Sequence, residues 1–108
     1  MPSQSNTSRV SHLDCPGGGQ VWIDGTTLYI AHMAAPHGTT VVDVSDPRRP
    51  RQLATIDIPE GWHSHKVRVA NGIMLVNHEK IGQSGAADFG GGLGIYDCLL
   101  YTSDAADE

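Results

Sequence analysis

Residues 21–32 read Val-Trp-Ile-Asp-Gly-Thr-Thr-Leu-Tyr-Ile-Ala-His, and residues 67–78 read Val-Arg-Val-Ala-Asn-Gly-Ile-Met-Leu-Val-Asn-His. At a constant offset of 46 residues Val21 meets Val67, Ile23 meets Val69, Ile30 meets Val76 and His32 meets His78. A second match follows, with residues 39–43 (Thr-Thr-Val-Val-Asp) aligned on residues 93–97 (Leu-Gly-Ile-Tyr-Asp) at an offset of 54. The additional residues fall between Glu79 and Gly91, a stretch rich in Gly, Ala and Ser. Repeat proteins take insertions in such loops. A duplicated unit this short cannot bury its apolar surface alone, so its core must form between copies.

Each unit reads as four short strands. The first spans 20–23, 27–32, 39–44 and 52–58; the second spans 65–70, 73–78 and 92–97 and lacks a fourth strand. Asp24-Gly25 and Asn71-Gly72 mark tight hairpins, and the spacing predicts type I′ turns with positive φ at two successive residues. Val67 and Val69 alternate cleanly with Lys66 and Arg68, whereas alternation in 52–58 is imperfect. The nearly continuous apolar runs at 28–31 and 41–42 suit central strands covered on both faces. No window sustains a helical period. The expected fold class is all-β, a partial β-propeller of about two four-stranded antiparallel blades, the second incomplete. A flexible segment 1–16 precedes the blade 17–60 and the incomplete blade 61–97. A self-contained β-sandwich of about seven strands would satisfy the turn spacing, but a sandwich has no reason to repeat its sequence.

Residues 40–47, Thr-Val-Val-Asp-Val-Ser-Asp-Pro, with the Arg-Arg-Pro-Arg-Gln-Leu that follows, resemble the LVIVD repeat of bacterial β-propellers. Units of that family carry an (I/V)-(I/V)-D-V-S-D-P-x-x-P core. Residues 28–33 and the Gly-Trp-His-Ser-His of 61–65 look like one branch of it. The likeness covers about residues 12 to 97. It implies that residues 64–70 form the innermost strand of their blade, lining a central channel, and that residues 17–23 do so in the preceding blade. Most members have no established activity, so the resemblance implies architecture rather than chemistry. The motif also has a local explanation. Ser45 or Asp46 can accept from an amide two residues on, Pro47 fixes φ, and Pro50 stops the turn from continuing into helix. Asp43 and Asp97 are read as turn-capping carboxylates.

After Asp97 the family pattern calls for Val-Ser-Asp-Pro, but residues 98–108 read Cys-Leu-Leu-Tyr-Thr-Ser-Asp-Ala-Ala-Asp-Glu. This tail resembles a translated transposase sequencing adapter and is given no structure and no role. Without it, residues 1–97 hold nine acidic and seven basic side chains, against a formal net charge of −5 for the whole chain. Such near balance argues against a nucleic-acid partner. Cys15 alone can build neither a disulfide framework nor a thiolate metal site. Residues 1–11 are polar and lack a signal-peptide core, and no stretch is long enough to span a membrane. The localisation expected from this is cytoplasmic, with no membrane partner.

The six histidines are the compositional hint of chemistry. His63 and His65 are two apart at the start of a strand, so they point the same way, roughly 6.5 Å apart along it. Two such imidazoles can share a divalent metal, the possible cofactor, if further ligands come from elsewhere. At the start of the supposed channel strand they would sit at the channel mouth. The bland reading is a pair of histidines bonded to nearby carbonyls. His32 and His78 are possible additional ligands, although repetition at matching positions is the mark of structural residues. Glu79 and His37 are nearby loop candidates. The glycine clusters near 17–19 and 90–94 precede no helix and form no phosphate loop. No Walker, dinucleotide or nucleophile motif is present. Two functions fit. One is a binding or scaffold propeller for a small molecule or a protein, its remaining blades missing. The other is a metal-dependent enzyme, oxidoreductase or hydrolase, with a histidine-lined site at the channel mouth. A third possibility is that the chain alone has no function and exposes an edge and an apolar face that invite aggregation.

Overall fold

The computed structural model describes residues 6–81 and 91–98. The described residues contain eight strands and no helix: β1 (Gly18–Asp24), β2 (Thr27–His32), β3 (His37–Asp43), β4 (Arg51–Asp57), β5 (Trp62–His63), β6 (Val67–Ala70), β7 (Ile73–Lys80) and β8 (Gly92–Asp97). They form two antiparallel four-stranded sheets. The first runs β1-β2-β3-β4 in chain order. In the second, β5 and β6 pair with opposite ends of the same side of β7, and β8 pairs with the other side. That sheet has four strands by count and three by width.

The aligned segments pair in the same register. Val21 pairs with Ile30 in the first sheet, and their counterparts Val67 and Val76 pair in the second. Each first strand also carries one surplus residue. Between Gly18 and Val21, three steps on β1 face two on β2, from His32 to Ile30. Between His63 and Val67, four steps face three on β7, from Glu79 to Val76. A bulge of this kind turns side chains that would alternate onto new faces.

The hairpins differ. Asn71 and Gly72 both have positive φ, as a type I′ turn requires. In the first hairpin Asp24 pairs with Thr27, so the loop is Gly25-Thr26, and only Gly25 has positive φ. That suits a type II′ turn, with glycine at the first central position, and corrects the expectation of two I′ turns. At the Asp-Pro turn, Asp46 Oδ1 accepts from the amide of Arg48 at 3.1 Å, and Asp43 Oδ1 accepts from that of Ser45 at 2.9 Å. The imperfect alternation of residues 52–58 also has a cause. The β3–β4 register slips between Val41 and Val42, where two steps on β4 face one on β3.

The core lies between the sheets. Tyr29, Ala31 and Val41 from one face of the first sheet meet Val67, Val69, Met74 and Val76 from one face of the second. Burial of each valine or methionine side chain among them contributes about 1.5–3 kcal/mol. The two contacting faces are not equivalent. Val76 and Met74 are the repeat counterparts of Ile30 and Leu28, which lie on the opposite face of the first sheet from Tyr29 and Ala31. The sheets therefore stack front to back.

This leaves the unused faces partly bare. Val21 and Ile23 are each 59% exposed on the first sheet, and Leu93 and Ile95 are 60% and 66% exposed on the second. Between the sheets, β1 side chains also satisfy the free edge of β6. Trp22 Nε1 donates to the Val69 carbonyl at 3.0 Å, and Gln20 Oε1 accepts from the Val67 amide at 3.0 Å.

Several boundaries differ from the sequence reading. His37, expected in a loop, opens β3, and the strand expected over 65–70 begins only at Val67, with His65 in the bulged segment between β5 and β6. Glu79, placed in a loop, belongs to β7, and most of that loop lies outside the described residues. Cys98, assigned to the structureless tail, is buried in the core, and its amide donates to the Gly72 carbonyl at 2.7 Å. The rest of the tail also lies outside the described residues. No helix among the described residues is long and apolar enough to cross a membrane.

Candidate metal centre

His63 ends β5, directly opposite Glu79 on β7. Directly opposed residues hold their Cβ atoms about 4.5–5.5 Å apart, which brings an imidazole and a carboxylate into contact. His63 Nε2 donates to Glu79 Oε1 at 2.6 Å. His65 lies in the bulged segment between β5 and β6, and its ring centroid is 4.3 Å from that of His63. The rings therefore lie closer together than regular strand spacing alone would set them. One ligand atom from each of His63, His65 and Glu79 lies within 4.8 Å of the other two.

The bulged segment is held by side chains where the ladder is interrupted. Ser64 Oγ and His78 Nδ1 share a hydrogen bond of 2.8 Å. Asn77 Oδ1 accepts from the Lys66 amide at 3.0 Å. Gly19 of β1 faces the His65 backbone so closely that a Cβ there would lie 3.0 Å from the His65 carbonyl oxygen and 3.2 Å from its Cβ. A glycine at that point lets β1 approach the segment that carries His65.

Burial, then the neighbouring charges of His63 and Lys66, holds the His65 pKa below the usual histidine value. A neutral imidazole is the form that ligates metal. The hydrogen bond from His63 lowers the Glu79 pKa and keeps that carboxylate ionised. The pair is partly open to water, with the Glu79 side chain 59% exposed, so its attraction is screened and adds little to stability.

The other candidates are elsewhere. His32 and His78 are buried and already engaged at both ring nitrogens. His32 Nδ1 donates to the Gly17 carbonyl at 3.2 Å, and its Nε2 shares a hydrogen bond of 2.6 Å with Thr40 Oγ1. His78 bonds Ser64 through Nδ1, and its Nε2 lies 3.3 Å from the Tyr96 hydroxyl. Burial lowers the His78 pKa. His37 starts β3, where its ring lies 5.9 Å from that of His32. Trp62, at the start of β5, is buried.

Sequence reasoning named Glu79 without seeing its strand. The run Asn77-His78-Glu79-Lys80 carries no apolar alternation to mark a strand. It missed Ser64, Asn77, Gly19 and Gln20, whose roles depend on the bulge and on contact between the sheets.

The chain matches no protein-family model, and comparison with curated proteins and with solved structures finds no match.

Proposed function

We propose that the chain is a section of an LVIVD-like β-propeller that acts as a binding or scaffold protein for a small molecule or a protein. The observation that carries this reading is the front-to-back stacking of two sheets with matching registers and matching bulges. A front-to-back contact joins two different faces and leaves one of each kind open, so it invites further copies until a ring closes. In such a ring β1 and β6 are the innermost strands. Their bridging by Gln20 and Trp22 supports that placement. The structure of the intact open reading frame's product tests the reading. A closed ring of four-stranded sheets, with the equivalents of β1 and β6 innermost, is expected. Two sheets closed into a sandwich would overturn it.

The second reading is a metal-dependent enzyme, oxidoreductase or hydrolase, with its site at the channel mouth. The His63, His65 and Glu79 cluster favours it, because two imidazoles and a carboxylate are a donor set that leaves a metal open to substrate.

A further inference from the structure

We propose that His63, His65 and Glu79 bind one divalent transition-metal ion, and that Zn²⁺ is the ion this donor set fits. The inference rests on the geometry of the cluster and holds whether the protein is a scaffold or an enzyme.

Donor chemistry comes first. Two imidazole nitrogens and one carboxylate oxygen suit a borderline ion such as Zn²⁺, whereas Ca²⁺ and Mg²⁺ prefer oxygen ligands. The distances come second. An ion with bonds of about 2.0–2.2 Å in tetrahedral geometry holds its donor atoms roughly 3.3 Å apart. The His63–Glu79 pair, now at 2.6 Å, would open slightly. The widest separation, within 4.8 Å, would close. Side-chain rotation accomplishes both without moving a strand. The ion would take the place of the hydrogen that now joins His63 Nε2 to Glu79 Oε1, so metal binding replaces that hydrogen bond.

Preorganisation comes third. Cross-strand register fixes two of the ligands, and the bulge, Gly19 and Asn77 fix the backbone around the third. Three protein ligands leave a position for water or for an anion that replaces it. The exposed side of Glu79 opens that position to solvent.

Calorimetric titration of the whole chain with ZnCl₂ tests the proposal, with Co²⁺ absorption as the reporter of ligand number. Saturable binding of one ion per chain is expected. Loss of a true ligand exceeds the 10–100-fold effect typical of groups that only orient ligands. The His63→Gln/His65→Gln variant should therefore weaken binding by roughly 100-fold or more. Glu79→Gln should weaken binding and alter the Co²⁺ spectrum. His12→Ala/His37→Ala should change neither. Circular dichroism of each variant separates a lost ligand from a lost fold, and His63→Ala/His65→Ala provides a second pair if the glutamines misfold. Unsaturable binding to the native chain would overturn the proposal. So would unchanged affinity in a folded double variant, or an unchanged spectrum in Glu79→Gln.

Discussion

His32 and His78, at aligned positions of the two sheets, are alike at one ring nitrogen and different at the other. Each turns Nδ1 toward its bulged first strand, to the Gly17 carbonyl in one unit and to the Ser64 hydroxyl in the other. Their Nε2 partners differ in kind. Thr40 serves His32, but the matching position in β8 is Gly94, and the Tyr96 hydroxyl reaches His78 instead. A Cβ on Gly94 would collide with His78 Nε2. The paired histidines were legible in the sequence as structural residues. Their partners were not, because a hydrogen bond across strands depends on register and side-chain reach. Asp43 was legible as a turn cap. The Ser45 amide and then Arg51 hold its pKa down at about 2, from an ordinary 3.8. A carboxylate with a depressed pKa stabilises the fold fully above the unfolded value, and that contribution fades as pH falls through the folded one. In urea unfolding from pH 6 to pH 2, native protein should therefore exceed Asp43→Asn in stability at the upper end. The gap should close between about pH 4 and pH 2. A gap that stays constant would show that Asp43 does not act through its charge.

The informative elements are the two first strands. Their apolar positions were readable because alternation survives within β6 and at the register positions of β1. Their bulges were not, because a surplus residue leaves no mark on hydropathy. Those bulges decide which side chains meet. Ser64 and Val67 share the inner face with His78 and Val76, while His63 sits opposite Glu79 on the other. The same logic sorts β7 and β8. Met74 is fully buried between the sheets, whereas Ile95 is 66% exposed on the outer face. Met74→Ala should cost about 2–5 kcal/mol in chemical denaturation. Ile95→Glu should stay within about 0.5 kcal/mol of native protein and should reduce self-association at high concentration. Equal costs at the two positions would mean that the burial of β7 and β8 has been assigned to the wrong faces.

At the scale of the molecule, the all-β class and two successive antiparallel units were legible from duplication and turn spacing alone. How the units meet was not, since hydropathy marks a face as apolar without naming its partner. Tyr29 and Ala31 pack on Val67, Val69, Met74 and Val76, which makes the contact front to back and leaves Val21, Ile23, Leu93 and Ile95 open to water. A sandwich would join like faces and close on itself; this contact leaves a place for another sheet at either side. The proposed ring and the proposed role both depend on that asymmetry. Nuclear Overhauser contacts in the isotopically labelled chain test it most directly. Contacts are expected from the Trp22 indole N–H to Val69 and from the Tyr29 ring to the methyl groups of the β6–β7 face that meets the first sheet. Contacts from Tyr29 to Leu75, Leu93 or Ile95 would contradict it.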